Sequence, residues 1–168
     1  MKKFIILLGA FFICLQIGAQ DTQTNVSTYY LIRHAEKDRT DKTNQDPNLK
    51  QKGLARALEW ARVFKDVSFD EIYATPYRRT RQTAEPTAFL QKKKITEYNP
   101  SNLDFDEFKA ATKGKTVLIV GHSNTTPNFA NALIGEERFE AMKDTDNASL
   151  FIITVIDGKA TGIRLMID

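Results

Sequence analysis

The sequence predicts an α/β fold, a three-layer sandwich whose mostly parallel central sheet carries helices on both faces. Three observations carry that expectation. Two apolar runs, residues 29–32 and 117–121, read as buried strands, and the chain's two histidines, His34 and His122, stand at or just past their ends. Stretches with helical spacing separate the strand-like runs. The chain closes on two further strand-like runs joined by Asp157-Gly158, a hairpin turn signal.

The first residues are set apart from this domain. Lys2-Lys3 is followed by an apolar run over residues 4–15, and Gly18-Ala19-Gln20 offers small residues for cleavage. The run is too short to span a bilayer, so residues 1–20 read as a secretory signal peptide rather than an anchor helix. Residues 21–168 are then a single domain, periplasmic or secreted, with no stable membrane insertion after cleavage. The only cysteine, Cys14, lies inside the leader. Phe12-Ile13 before it are too large for a lipidation site, and the mature chain has neither disulfide nor thiol nucleophile.

Composition is that of a globular protein, with 42% hydrophobic and 27% charged residues in a chain of 168. Removing Lys2 and Lys3 from the 24 basic residues leaves 22 against 21 acidic, a balance of +1. That near-neutral balance gives no support for nucleic-acid binding, which would show a clustered basic excess. The run Lys92-Lys93-Lys94 reads as a solvated helix end.

In chain order, residues 21–28 are polar and read as a tether. Tyr29-Tyr30-Leu31-Ile32 is aromatic or aliphatic and runs into Arg33-His34, which a buried strand would deliver to the ligand-binding edge of an α/β sheet. Residues 36–48 are too polar to pack and are expected over the site entrance. Residues 49–65 have helical spacing, with Leu54, Leu58 and Ala61 expected on one side and Ala57 and Phe64 beside them. Residues 70–74 make a short strand. Thr75 is expected to cap the next helix, with Pro76 in its first turn and Pro86 ending or kinking it. Residues 95–98 make an edge strand. Residues 104–112 form a helix with Phe105 and Phe108 inward, stopped by Gly114. The near-continuous apolar run 116–120 should be a central strand. A helix over residues 125–134 ends at Gly135, and the hairpin of residues 148–156 and 159–167 closes the chain.

Three segments resemble, in order, the signatures of the histidine phosphatase superfamily, the phosphoglycerate-mutase-like enzymes of branch 1. Arg33-His34-Ala35-Glu36 after a strand is similar to its RHG or RHA signature. Thr75-Pro76-Tyr77-Arg78-Arg79-Thr80-Arg81-Gln82-Thr83-Ala84 is similar to S-P-x-x-R-A-x-Q-T-A. Val120-Gly121-His122-Ser123-Asn124 resembles the second-histidine segment. Leu49-Lys50-Gln51-Lys52-Gly53 resembles the L-T-x-x-G helix start, with Lys50 where threonine is usual. The resemblance spans residues 28–135 and implies a phosphoglycerate-mutase-like fold.

It also implies the chemistry. Phosphoryl transfer needs a nucleophile and fixed cations around the peripheral oxygens. The family assigns the nucleophile to the histidine after that arginine, here His34, through a phosphohistidine intermediate. Arg33 and Arg79 suit the phosphate oxygens because a guanidinium donates bidentately and keeps its charge. His122 would donate to a phosphate oxygen, Thr75 would bind phosphate, and Ser123 and Asn124 lie close by. Glu97 resembles the position of the family's general acid, with Asp104 and Asp106 as rivals. The family's longer mutase consensus is absent, as are the insertions of larger mutases, and the chain is nearest in size to compact phosphohistidine-phosphatase-like members. The substrate expected is a phosphorylated small molecule or phosphoprotein. No cofactor is expected, and no metal: Asp38 or Asp41 would have to join the two histidines, but no ligand spacing exists and Arg33 would repel a cation. Two alternatives stay open, mutase-type phosphoryl transfer and non-catalytic phosphate binding.

Overall fold

Strand β1 (Val26–Arg33) runs through the middle of the sheet because its side chains are buried on both faces; Leu31 and Ile32 are wholly inaccessible. The computed structural model describes residues 25–167; the expected signal peptide and Cys14 lie outside the described residues. The following elements are α1 (Gln51–Val63), β2 (Glu71–Ala74), α2 (Arg78–Leu90), β3 (Ile95–Glu97), α3 (Phe105–Ala111), β4 (Thr116–Gly121), α4 (Thr125–Ile134), β5 (Ser149–Ile156) and β6 (Lys159–Met166).

The six strands lie in the order β3-β2-β4-β1-β5-β6. The β3–β2, β2–β4 and β4–β1 pairings are parallel, while β1–β5 and β5–β6 are antiparallel. The β5–β6 turn puts Asp157 and Gly158 at φ 48° and 80°, the left-handed pair that a two-residue hairpin demands. Each face of the sheet has its own core. Tyr29, Leu31, Val117 and Ile119 point to one side, against Phe108 of α3 and Phe129 of α4. Ile32, Leu118 and Val120 point to the other, against Trp60 of α1 and Ala84 of α2. This alternation along β1 and β4 makes the three layers.

Four local expectations are corrected. Residues 26–28 are strand rather than tether, because Ser27, Val26 and Thr28 pair with β5. In α1 the buried residues are Gly53, Ala57, Trp60 and Ala61, while Leu54 and Leu58 are 41% and 64% exposed. The helix is turned so that Trp60, stacked on Phe64, fills the core, and so that Gly53 can touch the chain after β1. A Cβ at Gly53 would lie 2.2 Å from the Glu36 carbonyl oxygen. Replacing Trp60 by Ala would cost about 3–5 kcal/mol by the usual cavity argument. Thr75 does not cap α2, whose N-cap is Tyr77; the Thr75 hydroxyl instead meets His122. Pro86 sits inside α2 without ending it.

Candidate active site

The parallel β1–β4 pairing sets Arg33 opposite Gly121, and the His34 amide donates to the Gly121 carbonyl at 2.9 Å. Two adjacent strands that each pass into a histidine therefore deliver both imidazoles to the same carboxyl edge. The His34 and His122 ring centroids are 5.4 Å apart. Beside them β2 ends in Thr75, whose amide donates to the Val120 carbonyl. After a tight turn, α2 brings Arg79 back over this edge.

His34 is 3% exposed, and its Nδ1 lies 2.7 Å from the carbonyl oxygen of Ala35. A carbonyl can only accept, so Nδ1 carries the proton and Nε2 is left as a lone pair. Burial, with Arg33, His122 and Arg79 nearby, lowers the His34 pKa to about 3, which keeps the ring neutral. Asn147 Nδ2 donates to the His34 carbonyl at 2.8 Å, and the Ala35 amide donates to Thr83 Oγ1 at 2.9 Å. The loop carrying the histidine is thus clamped from two sides.

His122 is held differently. Its Nε2 is 2.9 Å from Thr75 Oγ1, and its ring stands edge-on to Tyr77 at 5.1 Å. Burial, and then Arg79 and Arg33, lower its pKa to about 4.

Arg33 is 2% exposed. Its Nη1 donates to the carbonyls of Lys143 and Asp146 at 2.9 and 3.0 Å, and its Nη2 to Asp144 at 2.8 Å. Arg79 lies over the Tyr77 ring, with Cζ 4.2 Å from the centroid, and reaches Asp46 at 3.5 Å. The Nε atoms of both arginines are buried without a partner. A buried guanidinium donor is rarely left unpaired, so this pair of orphans points to an anion.

The structure brings Arg33, His34, Thr75, Arg79 and His122 together and leaves Glu97 apart. The Glu97 carboxylate is 50% exposed, pairs with Arg81 at 3.2 Å, and shares a separate groove with Glu85 and Lys93. Asp104 caps α3 by accepting from the amides of Asp106 and Glu107, and Asp106 pairs with Lys109. Asp38 and Asp41 bond to Thr40 and Thr43 within their own loop. Asn124 is the N-cap of α4 with no capping bond from its side chain.

The remaining motif positions hold the scaffold. Gln82 accepts from the Leu49 amide at 2.8 Å, and Glu36 takes the Arg56 Nε on both oxygens at 3.1 and 3.0 Å. As expected, the polar loop reaches the entrance, where Gln45 and Asp46 contact Arg79. Sequence reasoning missed Lys37, Asp144 and Asn147. The segment of residues 143–147 carries its own turn signal, since Asp146 accepts from the amides of Ala148 and Ser149. Nothing in the spacing ties it to Arg33, 110 residues upstream.

Residues 29–99 match the family model described as histidine phosphatase superfamily (branch 1). No curated protein sequence matches the chain. Among solved structures, a protein histidine phosphatase SixA complexed with tungstate superposes with a TM-score of 0.64 at 14% identity, covering 83% of this chain and 96% of that one. A mycobacterial glucosyl-3-phosphoglycerate phosphatase gives 0.65 at 12%, covering 85% and 100%. A phosphoglycerate mutase from Bacillus anthracis gives 0.64 at 17%, covering 84% and 93%. At these identities the likeness is one of fold, and it agrees with the six-stranded sheet and its four flanking helices. The matched segment and the shared architecture agree: residues 29–99 carry the sequence pattern of the histidine phosphatase superfamily (branch 1), on a fold like that of these neighbours.

Proposed function

We propose that the protein is a phosphatase that works through a phosphohistidine on His34 and needs no metal. The observation that carries this reading is the tautomer of His34. Its Nδ1 proton is fixed on the Ala35 carbonyl, so the Nε2 lone pair faces the site beside two arginines with unpartnered Nε donors. In the first step Nε2 attacks phosphorus, the bond to the leaving oxygen or nitrogen breaks, and its electron pair departs with that group. Arg33, Arg79 and His122 stabilise the charge on the peripheral oxygens. Water then attacks the phosphorus of the intermediate, loses its proton to solvent, and the P–N pair returns to Nε2.

The tungstate held by the SixA neighbour is an oxyanion, which supports anion binding in this cradle. With Glu97 committed to Arg81, the site favours phosphorylated substrates whose leaving group needs little protonation, such as aryl phosphates and phosphoramidates. Residues 1–20 support export to the periplasm or exterior. The mature protein should release phosphate steadily from an aryl phosphate, with and without chelator, and vanadate should inhibit it. Binding of phosphate without turnover would leave only a phosphate-binding protein, and activity lost to chelator and restored by a metal would remove the metal-independent mechanism.

A further inference from the structure

Next to His34 a cleft of about 280 Å³ opens between the loop after β1, the start of α1 and residues 144–147. Ligand pockets are usually lined by apolar and aromatic side chains. Here no aliphatic, Phe, Tyr or Trp side chain lines the cleft, and five cationic side chains face two carboxylates. Both carboxylates are already engaged. Asp144 pairs with Arg33 and with Arg39 at 2.8 Å each, and Glu36 is clasped by Arg56 and approached by Lys52 at 3.6 Å. Lys37 and Lys50 line the same cleft and form no ion pair among the described residues. Lys37 is partly buried, and this burial, with Arg79 and Arg39 close by, lowers its pKa from the usual lysine value.

Two facts about this cleft have one chemical solution. It concentrates positive charge beside His34, and neither of its two carboxylates is free to protonate a leaving group lodged there. Arg39 and Arg33 hold the Asp144 carboxyl below its ordinary range. Resting on the phosphatase reading above, we propose that the leaving group is itself a phosphate and that the substrate is a short inorganic phosphoanhydride, a polyphosphate chain. Its leaving phosphate is anionic, as the cleft requires, and departs without a proton. It has no base or acyl chain that would need an apolar wall. His34 Nε2 attacks the terminal phosphorus, the bridging P–O bond breaks, and the shortened chain leaves with that electron pair into the lysines. Water hydrolyses the phosphohistidine as before, giving one inorganic phosphate per cycle.

The test compares kcat/KM for tripolyphosphate with that for glycerol phosphate, an alkyl monoester with one phosphate and a poor leaving group. The expected preference is at least about a hundredfold, the usual scale of missing acid catalysis. Lys37→Gln and Lys50→Gln should each reduce the preference about tenfold, the effect of one charge-assisted hydrogen bond. Lys113→Gln, at the opposite end of the sheet, should leave the preference unchanged. Methylenebisphosphonate, which cannot be cleaved, should inhibit aryl phosphate hydrolysis more strongly than inorganic phosphate does, and should lose that advantage in Lys37→Gln. Equal turnover of tripolyphosphate and glycerol phosphate, or a preference that survives the lysine variants, would overturn the inference while leaving the phosphatase reading intact. No hydrolysis of any of these substrates, aryl phosphate included, would overturn both.

Discussion

The ends of β1 and β4 make an instructive pair. Both are parallel, buried, adjacent strands, and each passes into a histidine at the same edge of the sheet. Their imidazoles are nonetheless held by opposite nitrogens. His34 uses Nδ1 on a carbonyl one residue along its own chain, which frees Nε2. His122 uses Nε2 on the Thr75 hydroxyl, a partner from a third strand end. The difference teaches that a strand-end histidine acquires its role from the contact that fixes its tautomer. In the proposed mechanism one ring is thereby left to act as the nucleophile, and the other is tied into the wall that would hold the anion.

If that asymmetry is real, substitution should be unequal. His34→Ala should cost on the order of 10⁴-fold or more in kcat, the scale on which covalent nucleophiles are lost. Retention of more than about a hundredth of the wild-type rate would contradict the assignment, given that scale. His122→Ala should cost about 10²-fold, the usual loss for one donor to a developing charge, and should still form the covalent intermediate. If it instead matched His34→Ala in both rate and loss of intermediate, the two roles would not be distinct. Thr75→Val, which keeps the shape and removes the hydroxyl on His122, should cost about tenfold in kcat/KM. Glu97→Gln should change turnover of alkyl and aryl phosphates by less than about twofold, because it breaks only an exposed ion pair. A loss confined to alkyl phosphates would return the acid role to Glu97.

Acid should act on the two strand ends alike. Both histidines titrate near 6.5 when unfolded and near 3 and 4 when folded. The unfolded chain therefore binds more protons between these values. Folding stability from each ring is fully present above about 6.5 and falls as pH drops toward the folded value, by up to about 1.4 kcal/mol per pH unit. Thermal unfolding between pH 7 and 5, above the range in which most carboxylates titrate, should show this slope, and the double variant His34→Asn/His122→Asn should flatten it. An unchanged slope in that variant would mean that the native rings carry protons.

Much of the sheet was legible because its signals are local. The apolar run of β4, the Gly135 stop of α4 and the Asp157-Gly158 turn each depend on a few neighbouring residues. The convergence of Arg33, His34, Arg79 and His122 was legible because each lies at an element end inside a recognisable segment. The orientation of α1 was not, because Leu54 and Leu58 fit the helical period as well as Trp60 does, and tertiary packing chose the larger ring. The pairing of Glu97 with Arg81 was not legible, because strand position alone does not say which side chain will take its carboxylate. The collar on Arg33 from residues 143–147 was invisible for the opposite reason: it consists mainly of backbone carbonyls, and every residue type has one.

The central claim is that the free Nε2 of His34 accepts the phosphoryl group. It is tested most directly by mixing the protein with an aryl phosphate, quenching in alkali within the first turnovers, and mapping phosphoryl mass by peptide sequencing. The account predicts phosphohistidine on His34 in the wild type and in His122→Ala, and none in His34→Ala. Phosphoryl found on His122, or turnover with no phosphohistidine on any peptide, would contradict it.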